Sequence, residues 1–550
     1  MGEDIVADAA AGAAAGWLSW RVAAVAVAAW LALHVAARVA DALWWRPRRL
    51  EAHFAAQGVR GPPYRFLLGS VKEMVGLMAE ASSKPMSPPT SHNALPRVLA
   101  FYHYWRKIYG PTFLIWFGPT PRLTVAEPEL VREIFLTRAD AFDRYEAHPV
   151  VRQLEGDGLV SLHGDKWALH RRVLTDAFFP DNLNRLVPHV GRSVAALAEK
   201  WRSMAAEGGA GEVEVDVAEW FQVVTEEAIT RATFGRSYDD GRAVFALQGR
   251  LMAFASEAFR KVLVPGYRFL PTRKNWLSWK LDREIRRSLT RLIARRSDEA
   301  ADEEEKAGDA GGFRDLLGAM INADGKKKPA RAIPVHDMLE ECKTFFFAGK
   351  QTTTNLLAWA TVLLAMHPEW QERARREVLD VCGAGELPTK EHLPKLKTLG
   401  MIINETLRLY PPAVATIRRA KMDVRLSDGC MIPRDMELLI PIMAIHHDTR
   451  FWGLDAAQFN PARFADGTMR AAKHPFAFIP FGLGARMCIG RNLARLEAKL
   501  TLAILLQRFE IRASPNYVHA PTVLMLLYPQ YGAPVIFRPV SPQLSDQEAS

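Results

Sequence analysis

Apolar residues fall into three kinds of run along this chain. Near the N-terminus, from about Trp17 to Trp45, the residues are mostly Ala, Val, Leu and Trp, and Val22 to Ala37 carries no formal charge. A stretch that is apolar on every face predicts a membrane-spanning helix over residues 16–45. Arg21 and Arg38 flank its uncharged core and can snorkel to the interfaces, where Trp17, Trp20, Trp44 and Trp45 also belong. The second kind follows a helical period. Met338, Cys342, Phe345, Gly349, Thr352, Leu356 and Ala360 recur close to every 3.6 residues and predict one long helix from Pro334 to about Met366. Leu130–Phe142 and Leu281–Arg296 also read as helices. The third kind is short. Thr112–Phe117 and Arg122–Ala126, joined by Gly118-Pro119-Thr120-Pro121, predict a β-hairpin.

Between these runs the chain divides into four parts. Residues 1–15 form an acidic, Ala/Gly-rich tail with no predicted structure, and residues 16–45 are the anchor. Residues 46–64 are a basic and proline-rich hinge carrying Arg46, Arg48, Arg49 and Gly61-Pro62-Pro63, and residues 65–550 are one large body. Residues 82–96, 205–212 and 298–312 and the run Lys326-Lys327-Lys328 read as exposed loops. Arginines after the anchor, with Glu3, Asp4 and Asp8 before it, place the body in the cytosol by the positive-inside rule. The alternatives are a cleaved signal peptide and an Ala-rich soluble helix. The acidic start and the lack of a cleavage site speak against the first.

Four cysteines in 550 residues exclude a disulfide framework and fit a reducing compartment. Cys342, Cys382 and Cys430 lack metal-ligand spacing and read as packing residues. A net charge of +10 comes without a nucleic-acid motif, which leaves a membrane surface or an acidic protein as its partner.

The fourth cysteine differs. Phe481-Gly482-Leu483-Gly484-Ala485-Arg486-Met487-Cys488-Ile489-Gly490 sets Cys488 between glycines and just before a helical run. Gly484 and Gly490 remove Cβ atoms where the backbone turns and approaches a flat ligand. The N–H groups and positive end of the following helix favour a thiolate. Phe481 can shield the sulfur, and Arg486 can pair with a carboxylate of the bound group. The pattern Phe-x-x-Gly-x-Arg-x-Cys-x-Gly resembles the haem-binding loop of the cytochrome P450 family.

Other motifs agree in order and spacing. Trp167 and Arg171 share a helical face, and the resemblance sends that pair to a haem propionate, with Arg419 reaching the same group. Phe347-Ala348-Gly349-Lys350-Gln351-Thr352-Thr353-Thr354 puts poor helix formers inside the long helix. Gly349 there would admit a flat ring or substrate. The Thr352 hydroxyl would replace a backbone hydrogen bond, open the helix and serve oxygen. This segment resembles the family's oxygen-side motif, except that Gln351 stands where an acid is usual. Glu405 and Arg408, followed by Pro411-Pro412 and later by Arg463, resemble the family's Glu-Arg-Arg framework and are given a structural role. The resemblance further assigns Ala348, Val414, Ala415, Thr416, Met525 and Leu526 to the substrate pocket.

The resemblance implies a mainly α fold with small β-sheets behind a single transmembrane helix. It implies haem b held by Cys488, O2 as co-substrate, and residence in the endoplasmic reticulum membrane. No Gly-x-Gly-x-x-Gly dinucleotide fingerprint is present, so electrons would come from NADPH through a separate cytochrome P450 reductase. Arg491, Arg495 and Lys499 are the candidate basic patch for that partner. Arg97–Gly110 and Phe142–Pro149 resemble the plant group that hydroxylates brassinosteroids at side-chain carbon C-26. A gibberellin, another terpenoid or a fatty acid is the alternative substrate. A haem-thiolate isomerase or lyase, or a non-catalytic haem sensor, is the alternative function.

Overall fold

The computed structural model describes residues 3–88, 90–146, 152, 155–259, 272–306, 315–323 and 333–540. Its principal helices are α1 (Glu3–Ala40), α2 (Arg46–Ala55), α3 (Val71–Ser82), α4 (Leu95–Val98), α5 (Ala100–Tyr109), α6 (Gly164–Thr175) and α7 (Val187–Glu207). They continue with α8 (Val217–Phe234), α9 (Tyr238–Phe259), α10 (Arg273–Lys306), α11 (Val335–Met366), α12 (Pro368–Cys382), α13 (Lys397–Leu409) and α14 (Arg491–Arg508). Twelve short strands complete the described part: β1 (Leu114–Phe117), β2 (Thr120–Thr124), β3 (Phe142–Arg144), β4 (Val213–Asp216), β5 (Thr416–Ala420), β6 (Val424–Arg425), β7 (Met431–Ile432), β8 (Glu437–Ile440), β9 (Phe509–Ala513), β10 (Pro521–Val523), β11 (Leu527–Pro529) and β12 (Pro534–Pro539).

The N-terminal helix runs from Glu3, so the acidic segment read as a tail is its opening turns. A tract from Ala23 to Ala55, exposed along its most apolar part, is long and apolar enough to cross a membrane. The expected hairpin forms, with Leu114 opposite Leu123 and Phe117 opposite Thr120. It belongs to a five-stranded sheet of order β1-β2-β8-β5-β3, in which only β2 and β8 run parallel. A second sheet, β4-β12-β9, closes the C-terminal side, and β10 and β11 form a separate hairpin.

Three local expectations change. The α-helix entered at Pro128 ends at Arg132, and a π-turn (Glu133–Thr137) and a 3₁₀ turn (Ala139–Ala141) follow before β3. Buried Glu133 is held there by Arg138 at 3.0 Å and by the Ser427 amide at 2.9 Å. Helix α10 continues through Asp298 to Lys306, where a loop was expected, and residues 307–312 lie outside the described residues, as do Lys326 to Lys328. Alternating acidic and small residues do not stop a helix in the absence of Gly or Pro. Helix α7 likewise extends to Glu207 and leaves residues 208–212 as the turn.

Helix α11 spans the interior and packs most extensively against α8. It is unbroken through Gly349-Lys350-Gln351-Thr352. The Thr352 hydroxyl donates to the Ala348 carbonyl at 2.6 Å, one turn back, so it supplements the ladder and does not open it. Gly349 faces α8. A Cβ built there would lie 2.5 Å from Ile229 Cδ1 and 2.6 Å from its Cγ1. The missing side chain therefore permits helix–helix approach, a role different from the ring contact expected. On the same flank, Thr354 and Thr225 hydroxyls bond at 2.8 Å and Lys350 pairs with Glu226 at 2.5 Å.

Ile229 is itself buried and has little room to turn away. We expect Gly349→Ala to destabilise the folded protein by about 1–3 kcal/mol, the usual range for overpacking. Adding Ile229→Ala should return part of that loss, and denaturant midpoints of the haem-loaded single and double variants measure the coupling.

Candidate active site

The Cys488 loop is built on close backbone contact. Gly484 has φ +70°, a left-handed conformation, and a Cβ there would meet the Phe135 carbonyl oxygen at 2.3 Å. Its close neighbour is thus the π-turn of the chain itself. The Cys488 N–H donates to the Phe481 carbonyl at 2.9 Å, closing the loop. Gly490 has an ordinary φ of −82°, and a Cβ there would sit 3.9 Å from the Cys488 sulfur. The thiol lies deep among protein atoms and still touches open space, as a group lining an internal cavity does. Burial pushes its pKa up, while the N–H groups of Gly490 and Arg491 and the guanidiniums of Arg171 and Arg491 pull it down. Burial prevails in the bare chain. A cation at the sulfur would reverse that balance.

A cluster of cations lies beside this loop. The Arg486 guanidinium stacks over Trp167 at 4.5 Å and donates to Asp143 at 2.7 Å and to the Leu162 carbonyl at 3.0 Å. Asp143 also meets His163 at 3.0 Å. Arg171, one turn after Trp167 on α6, is close enough to Cys488 for their charges to interact. Two members were missing from the sequence reading. Arg144 ends β3, and Arg418 sits opposite it on β5. Arg418 is buried, and its pKa is pushed down to about 10 by that burial and then by Arg144 and Arg486. Among the described residues it has no carboxylate partner. It donates only to Thr416 Oγ1 at 3.4 Å and the Ile417 carbonyl at 3.1 Å, and it lies over the Phe135 ring. The Arg144 Nε is buried without an acceptor.

Arg419, the residue expected here, points to the other face. It pairs with Asp435 at 2.9 Å and Glu146 at 3.7 Å. Successive residues of a strand alternate faces, so a shift of one position exchanges the roles. A thiol open to space, beside four guanidiniums of which Arg418 is buried and lacks a carboxylate partner among the described residues, fits a flat metal complex bearing carboxylates.

The other wall of the cavity comes from α11. Phe347 to Thr352 are half-buried, in contrast to the wholly buried turns on either side. Ala348, Gln351, Thr352 and Asn355 share one helical face. Gln351 donates to Asn355 Oδ1 at 3.1 Å, and Asn355 donates to the Leu527 carbonyl at 2.9 Å. Leu527 N–H in turn donates to the Pro412 carbonyl at 2.9 Å. Through this chain Gln351 is tied to the two other segments assigned to the pocket. Val414 is buried, Ala415 and Thr416 are half-buried, and Met525 and Leu526 form the half-buried tip of the β10–β11 hairpin. Residues 147–149 of the Phe142–Pro149 segment lie outside the described residues.

Glu405 and Arg408 form a bidentate pair with both contacts at 2.7 Å and both side chains wholly buried. Arg463 approaches Glu405 at 3.6 Å, and its shorter contact is to Asp455 at 2.5 Å. The framework is therefore a group of four. The three residues named for a basic patch are all half-buried on α14. Arg495 is half-buried, bonded to Asn404 at 3.1 Å and lying over Phe481; Lys499 is half-buried on the Leu393 carbonyl at 2.8 Å; and Arg491 contacts the Met487 sulfur at 3.5 Å. All four cysteines are free, and the other three are buried.

Replacing Arg418 by Leu should weaken haem retention roughly tenfold or more, since buried charge-assisted hydrogen bonds contribute about 1.5–3 kcal/mol. Arg419→Leu should leave it near wild type. Haem occupancy after transfer to apomyoglobin distinguishes the two.

A family model described as Cytochrome P450 matches residues 96–533. Cytochrome P450 734A2 of Oryza sativa subsp. japonica is 84% identical over 547 residues, covering 97% of this chain and 98% of the relative. Cytochrome P450 734A1 of Arabidopsis thaliana is 59% identical over 520 residues, covering 94% of this chain and 98% of the relative. A crystal structure of a cytochrome P450 (CYP102L1) superposes with a TM-score of 0.68 at 24% identity, over 79% of this chain and 96% of that one, and shows the same fold. The cysteine loop, the cavity and these likenesses agree: the chain belongs to the cytochrome P450 family and is a monooxygenase.

Proposed function

We propose that this monooxygenase hydroxylates a brassinosteroid on its side chain, at C-26, and so inactivates the hormone. The observation that carries the reading is the resemblance of Arg97–Gly110 and Phe142–Pro149 to that plant group. Likeness to the 734A relatives over almost the whole chain supports it. An apolar wall of Ala348, Val414, Ala415, Met525 and Leu526 suits a steroid skeleton.

In this proposal Cys488 would hold haem b through its thiolate. Arg144, Arg171, Arg418 and Arg486, with Trp167, would hold its propionates. Haem bound there supplies oxygen activation and insertion into an unactivated C–H bond. The chain supplies the rest. Phe481 and the Gly484 turn shield the sulfur from water. Thr352 Oγ1, which now donates to the Ala348 carbonyl, can turn its proton toward the cavity. Gln351, held through Asn355, keeps an amide beside it in place of a carboxylate. Proton supply then runs through Thr352 and water. Glu405, Arg408, Asp455 and Arg463 fix the backbone behind the cavity. The N-terminal helix anchors the enzyme in the endoplasmic reticulum with its body in the cytosol, where an NADPH-dependent reductase delivers electrons.

Product analysis tests the substrate. In microsomes with a plant reductase and NADPH, castasterone and brassinolide should give side-chain-hydroxylated products, and gibberellins none. Turnover of gibberellins alone, by an enzyme with intact haem, would sink the brassinosteroid reading. Cys488→Ala should abolish the thiolate-type spectrum of the reduced carbon monoxide complex and lower product to the detection limit.

A further inference from the structure

One buried network stands apart from the haem cavity and touches both pocket-lining segments. Its centre is Tyr410, the residue before Pro411-Pro412, whose ring stacks on Trp359 of α11 at 4.3 Å. The Tyr410 hydroxyl meets His92 Nδ1 at 2.8 Å and His519 Nε2 at 3.0 Å. His519 Nδ1 meets the Tyr517 hydroxyl at 2.8 Å, and His92 Nε2 meets His367 Nε2 at 3.0 Å. His367 Nδ1 reaches the exposed carboxylate of Glu369 at 3.3 Å.

Burial favours a neutral His367, and from that form the direction of every donor in this chain follows. The Glu369 carboxylate accepts, so a neutral His367 donates from Nδ1 and accepts at Nε2. His92 must then donate from Nε2 and accept at Nδ1, which Tyr410 supplies with its O–H. The Tyr410 oxygen accepts from His519 Nε2–H, and His519 Nδ1 accepts from Tyr517. All three histidines are neutral in this arrangement, and all donors run one way, from Tyr517 out to Glu369. Burial of His92 and His519 favours the same neutral forms.

Arg97 adds a second tie between the same parts. It is buried and donates to the Pro521 carbonyl at 3.0 Å, to Gln530 Oε1 at 2.5 Å, and to the carbonyls of Ala81 at 2.7 Å and Ser82 at 3.2 Å, with the Lys84 carbonyl also in contact. Met86 N–H donates to the His519 carbonyl at 2.9 Å. The segment before α5 thus grips both flanks of the β10–β11 hairpin and, through Tyr410, the turn that leads into Val414–Thr416.

We infer that His92, Tyr410 and His519, together with Arg97, form a clasp that positions the β10–β11 hairpin and hence the apolar wall at Val523–Leu526 against the substrate. They are positioning residues for substrate recognition, distant from the reacting atoms. The inference rests on the reading that this hairpin faces the substrate. Its donors and acceptors are complete without a ligand, so the clasp acts by holding the wall and not by contact.

Three variants of the full-length, haem-loaded enzyme test it. Tyr410→Phe removes both central bonds and keeps the ring on Trp359. His92→Leu removes one, and His92→Asn offers an amide oxygen near the place of Nδ1. Tyr410→Phe and His92→Leu should keep the thiolate-type spectrum and speed amide exchange across residues 521–529 roughly tenfold, as loss of buried hydrogen bonds does. KM for the brassinosteroid should rise roughly five- to tenfold with kcat little changed, a loss of binding alone. His92→Asn should recover most of both effects. Wild-type exchange across 521–529 in both Tyr410→Phe and His92→Leu would overturn the clasp. A wild-type enzyme that turns over no brassinosteroid strikes at the substrate assignment instead, and the exchange comparison, which needs no substrate, still decides the clasp. If Tyr410→Phe fails to load haem, the two His92 variants decide it.

Discussion

Arg408 has all five of its N–H donors satisfied and no exposed surface. Two go to Glu405, and three to the carbonyls of His446, Ala456 and Gln458. A desolvated ion pair of this kind adds little net stability, because dehydrating the charges offsets their attraction. It imposes geometry instead. Removing either partner would strand a charge where no water reaches. The three carbonyls therefore stay at fixed positions relative to α13, and so does Tyr410 at its end. From that residue the chain passes to Pro412, which receives Leu527, and the route continues through Asn355 to Gln351 on α11. The oxygen-side face of α11 is thus located by a line of hydrogen bonds that starts at one guanidinium.

The sulfur side is located differently, by steric fit. Gly484 allows the Cys488 loop to press on the Phe135 carbonyl. The π-turn that presents that carbonyl is itself secured by Glu133. Polar ties place one wall of the cavity, and backbone contact places the other. Between them the cavity keeps its cations, whose mutual repulsion an anionic ligand would relieve.

Much of this was legible in the sequence because some signals are local and dense. The Cys488 loop packs several constrained positions into ten residues, and the long period of α11 fixed its ends to within a residue. The rest depends on partners that sequence does not display. Arg418 and Arg419 are adjacent cations, and only the register of β5 against β3 and β8 decides which faces inward. Gly349 looked like room for a ligand because the bulk that needs the space, Ile229, lies on another helix. Asp455 and Asn355 have ordinary local contexts and acquire roles from residues far along the chain. His92, His367 and His519 are scattered, so no spacing could have joined them. Asp298 to Lys306 was misread because an acidic composition marks exposure and not the end of a helix.

The parallel pairing of β2 with β8 carries a cost in time. Arg122 on β2 and Glu437 on β8 face each other at 2.5 Å and are 315 residues apart in sequence. The middle strand of the other sheet, β12, lies near the very end of the described chain. At roughly 5–20 residues per second of synthesis, about 15 to 60 seconds separate the emergence of β2 from that of its parallel neighbour. Throughout that interval the outer edge of the β1–β2 hairpin has no partner strand. The nascent chain carries an unpaired β2 until the segment that holds β8 has emerged. Assembly of both sheets is thus a late event, which must wait for β8 and β12 to emerge.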